Sequence, residues 1–247
     1  MKVGTFYPII ESGWEKENSI LFDINFDHFE LLPENEHLYT VRKLAKILRN
    51  KEVILHTPFV EANLISNSEG IRKASVSYYQ KILNPLIQTF SPNVITLHVG
   101  YSAFYYEGIV VDQLRALMHK IPKIAIENMP NNRNIWKIAY PDSEKEMDTI
   151  LALLNNPPMT FDVGHWMKQG YNVYKMVQKY MKSIANIHIH DVVDGKDHKP
   201  LGTGDLDVEK FIRILRKNKY DKYLTIEMAS NDPEGSITSY KLLKKYV

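Results

Sequence analysis

The chain has 247 residues, 44% of them hydrophobic and 24% charged, enough to bury a sizeable core in one large domain or two small ones. It has no cysteine, which excludes a disulfide scaffold and thiolate metal sites, so any bound metal must be held by His, Asp and Glu. A formal net charge of +2 neither demands nor excludes nucleic acid, because a local basic patch would not show in the total.

The first predicted strand is Lys2–Tyr7, in MKVGTFYPII, which has neither the apolar core nor the cleavage site of a signal peptide. No apolar run approaches the ~20 residues that span a bilayer, so the expectation is a cytoplasmic protein with no membrane partner. The crossover Ile9–Phe26 has a poor helical pattern and reads as an irregular loop. Strand Asp27–Leu32 follows, then helix Glu36–Arg49, with Leu38, Val41, Leu44, Ala45 and Leu48 on one stripe. Next come strand Glu52–Thr57, helix Ser68–Phe90, strand Val94–Val99, helix Asp112–Lys120 and strand Lys123–Asn128. The rest is helix Ser143–Leu154, strand Met159–Val163, helix Asn172–Lys182, strand Ile184–His190, helix Val208–Lys217, strand Tyr223–Met228 and helix Pro233–Lys245. Near-continuous apolar runs such as VITLHV and YLTIEM suit parallel strands covered on both faces. Eight strands alternating with helices, about one unit per ~30 residues, is the arithmetic of an α/β (β/α)8 TIM barrel filling 1–247 as a single domain. A doubly wound open sheet is the alternative, but YPIIESGW after the first strand is not the glycine-rich phosphate loop such sheets often carry.

Six consecutive predicted strands end in ligand-type residues. They are His56 in ILHTPF, His98 in TLHVGY, Glu127 in AIENMP, Asp162 with His165 in TFDVGHW, His188 and His190 in NIHIHD, and Glu227 in TIEMAS. In a barrel these ends ring one mouth. Any one alone reads as a solvated carboxylate or a hydrogen-bonded structural histidine. A carboxylate flanked by apolar residues in YLTIEM, however, must be paired or metal-bound. Glu127, Asp162, His188 and Glu227 form a three-carboxylate, one-imidazole set suited to one divalent metal: Mn²⁺, Mg²⁺, Co²⁺ or Zn²⁺. His188 and His190 point the same way from their strand at different depths. We therefore expect His188 as the ligand, His190 nearer the mouth, and Asp191 orienting a histidine. The loop VVDGKDHKPLGTGDLD then crosses the mouth, bringing His198 as a further ligand or substrate contact. Its glycines allow tight turning before Asp207 caps the next helix.

The segments from HTPFVEANLIS to LTIEMA, in this order and spacing, resemble the xylose isomerase-like TIM-barrel superfamily. It includes sugar isomerases and epimerases, and abasic-site nucleases of the endonuclease IV type. Resemblance to the single-metal epimerases, supported also by PLGTGDLD, implies Glu127, Asp162, His188 and Glu227 as metal ligands. It also implies a substrate contact at His165. Resemblance to the three-zinc nucleases implies instead two or three Zn²⁺. His56, His98 and a bridging Glu127 would hold one, Asp162, His188 and Glu227 another, and His165 and His198 part of a third.

One departure from the nuclease pattern is Lys196, in KDHKPLG, where that pattern has an aspartate; Asp194 and Asp197 lie close enough to substitute. A lysine there would repel a third zinc. The chain is also expected to be compact, without long DNA-penetrating loops. Most of its arginines (Arg42, Arg49, Arg72, Arg115, Arg133, Arg213 and Arg216) fall in predicted helices. AIENMP lacks the lysine of xylose isomerase proper. The reading is thus a metal-dependent isomerase or epimerase of a sugar or sugar phosphate, working through an enediolate. Glu127 and Glu227 would be acid and base, and His165, His190 and His198 substrate contacts. The alternative is a zinc phosphodiesterase on abasic DNA; a third possibility is binding without turnover. Phe6, Tyr7, Trp14, Tyr101 and Trp166 are candidate pocket walls, at least half of them expected to be rim packing. A homo-oligomer is compatible with all of this.

Overall fold

In the computed structural model the apolar runs close on themselves as a barrel of eight parallel strands. The structure describes residues 1–9, 18–33, 38–102, 107–130, 138–229 and 232–247. The barrel strands are β1 (Lys2–Ile9), β2 (His28–Pro33), β3 (Glu52–His56), β4 (Ile95–Leu97), β6 (Ile124–Glu127), β8 (Met159–Asp162), β9 (Ile184–Ile189) and β12 (Tyr223–Ile226). They are hydrogen-bonded in the order β1-β12-β9-β8-β6-β4-β3-β2, and β1 pairs in parallel with both β12 and β2. Two short antiparallel pairs sit outside the barrel. One joins β5 (Gly100–Ser102) to β7 (Ile138–Tyr140), the other β10 (Asp191–Val193) to β11 (Lys196–Lys199).

Among the described residues there are eight helices. These are α1 (Leu38–Ile47), α2 (Glu69–Phe90), α3 (Glu107–Lys120), α4 (Glu144–Leu153), α5 (Val163–Lys168), α6 (Val173–Tyr180), α7 (Val208–Lys217) and α8 (Pro233–Leu243). None is long and apolar enough to cross a membrane. α3 begins five residues before the expected Asp112. α5 was not expected, because six residues hold too little of a helical period to be seen. It starts because Asp162 caps it, its side chain accepting from the His165 amide. The first crossover holds a 3-10 turn at Ser19–Asp23. Its residues 10–17, with Trp14, lie outside the described residues, as do 36–37 of the expected first helix and Arg133.

Strand alternation divides the side chains into two sets. Phe29, Leu31, Ile95, Leu97, Ile187, Ile189, Leu224 and Ile226 belong to the main apolar cluster that also contains the buried helix residues. The other face lines the barrel interior. Its floor is the small apolar group Ile54, Val94, Ala125 and Tyr223. Above the floor the interior turns polar, with His28, Glu30, Thr96, Thr160, Asn186 and Thr225 all fully buried. Buried polar groups must be paired, and these pair with one another. They form a fixed platform beneath the strand ends.

Candidate metal centre

The same inward alternation carries Glu127, Asp162, His188 and Glu227 to one point at the strand ends. Each offers a ligand atom, and the four atoms lie within 4.8 Å of one another. Two atoms on opposite sides of an ion, each ~2.1 Å from it, are ~4.2 Å apart, so the set is about the right size. His188 Nδ1 lies 3.2 Å from Glu127 Oε1, 2.9 Å from Glu227 Oε2 and 3.8 Å from Asp162 Oδ2.

A second group shares Glu127. Its Oε2 is 2.9 Å from His98 Nε2 and 3.4 Å from His56 Nε2. These distances are short, yet His56 Nε2, His98 Nε2, Glu127 Oε2 and Glu227 Oε2 are buried with no hydrogen-bond partner among the described residues. Buried polar atoms left unpaired are costly. Atoms that crowd together without aligning on each other behave as ligands aimed at a common point. The nitrogen and oxygen donors present fit a divalent cation.

A third group joins His165, His190 and His198. His165 Nδ1 faces the Asn128 carbonyl at 2.9 Å and His198 Nδ1 faces the Glu227 carbonyl at 3.3 Å. Each ring therefore donates from Nδ1 and keeps a lone pair on Nε2. His190 differs: its Nδ1 accepts from the His198 amide at 2.9 Å and its Nε2 donates to Asp162 Oδ2 at 3.1 Å.

The charges follow from this crowding. Burial acts to raise the pKa of Glu127, but His98 and His188 outweigh it and hold the carboxyl well below its usual range. Burial is likewise overcome at Glu227 by His188 and His198. At His188 burial opposes protonation, and Glu227, Glu30 and Glu127 together push its pKa well above the usual value. For His190, burial lowers the pKa and Asp162 lifts it to about 9. The His198 amide, donating into Nδ1, opposes that protonation and favours the neutral ring.

A family profile described as xylose isomerase-like TIM barrel matches residues 20–246. The chain belongs to this family. A relative within reach is an uncharacterized protein of Methanocaldococcus jannaschii, 27% identical over 243 residues, covering 90% of this chain and 81% of that one. The inosose dehydratase of Clostridium perfringens is 26% identical over 127 residues, 41% of this chain and 42% of the enzyme. Among solved structures, a D-tagatose 3-epimerase-like protein superimposes with a TM-score of 0.83 at 23% identity, covering 100% of this chain and 97% of the other. A family 2 AP endonuclease from Brucella melitensis gives 0.73 at 12% identity, covering 92% and 93%. Identities this low establish a shared fold.

The structure revises two expectations. Lys196 and Asp194 are exposed on the β10–β11 hairpin, and Asp197 is paired with Lys168 at 3.0 Å. Neither aspartate joins the third group; its third member is His190, so the group is three imidazoles with no carboxylate. The Asp191 side chain does not orient a histidine; only its backbone carbonyl lies near one, 3.4 Å from His190 Nδ1. The side chain accepts from the amides of Val192, Leu206 and Gly202, stapling the loop that follows β11. That is why PLGTGDLD needs its glycines: Gly202 has φ +84°, and a Cβ on Gly204 would overlap Asp191 and the Val192 carbonyl. Of the aromatic residues, Phe6 packs edge-on to His56 at 5.6 Å, whereas Trp166 packs against Phe161, Tyr171 and Tyr180 and Tyr7 against Phe22. Phe59, unmarked in the sequence, lies 5.1 Å from the His98 ring.

Two further residues escaped the sequence reading. Asn128 clasps the Asp162 backbone on both sides, donating to its carbonyl at 3.0 Å and accepting from its amide at 2.8 Å. Glu30 sits in HFELLP, flanked by apolar residues as Glu227 is, and carries the same signal of a carboxylate that needs a partner.

Gly164 has no room for a side chain, because a Cβ there would overlap the His190 ring. Gly164→Ala is expected to push His190 off Asp162 and cost about 1–3 kcal/mol, read as a lower urea midpoint. An unchanged midpoint would show that the ring can move aside freely.

Proposed function

We propose that the chain is a divalent-metal-dependent isomerase or epimerase of a sugar or sugar phosphate. The observation that carries this reading is the placement of Glu127 and Glu227. Both are buried, both are held as carboxylates by imidazoles, and both face His188 Nδ1. A bound ion held by Glu127, Asp162, His188 and Glu227 would supply charge stabilisation to a sugar oxygen as the neighbouring carbon loses its proton. One carboxylate would take that proton, and either the carboxyl so formed or the other carboxylate, after taking up a proton from solvent, would return one to the same or the adjacent carbon. His165 and His198, with Nε2 lone pairs free, accept from substrate hydroxyls; His190 holds Asp162 in place. The fold shared with a D-tagatose 3-epimerase-like protein and the partial match to an inosose dehydratase support proton chemistry beside a carbonyl.

The test is proton exchange. Protein reconstituted with Mn²⁺, Co²⁺, Mg²⁺ or Zn²⁺ is incubated in D₂O with ketoses, aldoses and their phosphates. Deuterium appearing at a carbon beside the carbonyl is the expected result. Its absence across the panel, with metal bound, would sink the reading.

A second reading keeps one specific observation in its favour. Glu127 presents Oε1 to His188 and Oε2 to His98 and His56, so one carboxylate can bridge two ions. Two-ion sites cleave phosphodiesters. Nicking of a duplex carrying an abasic site, dependent on Zn²⁺, would establish that reading instead.

A further inference from the structure

We propose that Glu30 is the positioning residue of this centre: it accepts the Nε2 proton of His188 and thereby leaves Nδ1 as the imidazole's metal-facing lone pair. The inference rests on the metal reading above and adds a residue to it.

Glu30 lies in the middle of β2, fully buried, one layer below the strand ends. Both of its oxygens are engaged. Oε1 accepts from Thr96 Oγ1 at 2.6 Å, and Oε2 accepts from Asn186 Nδ2 at 2.8 Å and faces His188 Nε2 at 3.0 Å. With its oxygens so occupied it is not a member of any of the three ligand groups. Its role toward the ion therefore runs through His188, whose other nitrogen faces Glu127, Glu227 and Asp162.

The direction of every bond around Glu30 is fixed by a neighbour. Thr225 Oγ1 donates to Asn186 Oδ1 at 2.9 Å, which turns the Asn186 amide nitrogen toward Glu30. With its proton so committed, Thr225 Oγ1 accepts from His28 Nε2, also at 2.9 Å. Thr96 donates to Glu30, so the Thr96–Thr160 contact at 3.0 Å must have Thr160 as donor. Thr96, Asn186 and His188, from β4 and β9, thus all point donors at one carboxylate, which receives them only as an anion. His188 then has one role left for Nε2, that of donor. A metal-ligating imidazole that gives its second N–H to a carboxylate is held in one tautomer and one orientation, and is a more basic ligand.

The decisive variant is Glu30→Gln. A glutamine oxygen can still accept from Asn186 and His188, and its amide can donate to Thr96, which then donates to Thr160. Shape is kept and charge is lost. Two quantities are measured on wild type and variant: Zn²⁺ affinity by competition with a chelator, and the His188 Nε2 proton resonance in the Zn²⁺-loaded protein. Affinity is expected to fall about 10- to 100-fold. The proton resonance is expected to move upfield, because a neutral acceptor makes a weaker bond than a carboxylate. Thr96→Val is the second variant. It removes a competing donor without touching His188, so the same resonance should move downfield. Opposite shifts from two variants cannot come from general damage to the barrel. Zn²⁺ affinity within about twofold of wild type, or an affinity loss with the His188 resonance unmoved in both variants, would overturn the proposal. If wild type itself binds no Zn²⁺, Mn²⁺ or Co²⁺, the metal reading fails and the assignment of Glu30 falls with it. If the metal binds and Glu30 behaves as stated while no sugar exchanges deuterium, only the sugar reading fails.

Discussion

Glu227→Gln should lower kcat by about 10²–10⁴-fold even when enough metal is supplied to saturate the variant. Two losses combine in that number. The amide cannot take or return a proton, and it is a poorer ligand, so part of the effect appears as weaker metal binding and part persists at saturation. The persistent part is the one that matters, since a residue acting only as a ligand would be rescued by excess metal. Deuterium exchange sharpens the result. Proton transfer on one side of the substrate stops in Glu227→Gln and on the other side in Glu127→Gln, so each variant should retain partial exchange without completing turnover. Glu127→Gln should show the larger metal defect, because Glu127 serves both the His188 group and the His56–His98 group. Activity of Glu227→Gln within about tenfold of wild type at saturating metal would remove it from proton transfer.

The barrel was legible because its signal is repeated. Each of the eight expected strands lies within two residues of the observed one at both ends, since apolar runs buried on both faces have sharp limits. Elements that make no such run were missed. β5 and β7 are three residues each and find one another across 38 positions of sequence. The β10–β11 hairpin did carry a local signal that went unread. Asp194 and Gly195 form its two-residue turn, both with positive φ, the conformation that an Asp-Gly pair favours.

The convergence of these side chains was legible for a related reason. Strand ends in a barrel converge, so residues as remote in sequence as His56 and Glu227 can be placed at one mouth without knowing any contact. What that reasoning could not supply is depth. Glu30 is mid-strand and Asn128 follows Glu127, so neither ends a strand in a way that draws attention. Their work is visible only once the donors from β4 and β9 are seen meeting at Glu30, and Asn128 is seen paired with both sides of the Asp162 backbone. The place of His190 beside His165 and His198 is similar. Lys196 marks the departure in sequence, but only the path of the β10–β11 hairpin shows that its side chain is exposed.

Stripping the metal with a chelator is expected to lower Tm by about 8–16 °C. An ion at 1,000 times its Kd stabilises by about 4 kcal/mol, and a chain of this size shifts about 2–4 °C per kcal/mol. The shift should widen as pH rises. In the metal-free chain the buried carboxylates are balanced by imidazolium, chiefly His188, whose pKa is raised well above its ordinary value. A raised folded-state pKa contributes stability that is fully present below the unfolded value of ~6.5 and is lost as pH climbs through the folded value. The metal-loaded chain runs the other way, because a ligating imidazole must be neutral and binding tightens as protons leave. Thermal melts with and without chelator at pH 6.5 and 8.5 check the sign, and a shift absent at both would end the metal reading. The same melts on His98→Ala decide the number of ions. Among the described residues His98 meets the His188 group through Glu127 Oε2, so a single ion in that group predicts a chelator shift close to wild type and one metal per chain in both proteins. A second ion shared by Glu127 predicts a smaller shift and the loss of one metal. That outcome would transfer the weight of argument from proton exchange on a sugar to cleavage of a phosphodiester, because a bridging carboxylate between two ions is poorly placed to act as a free base.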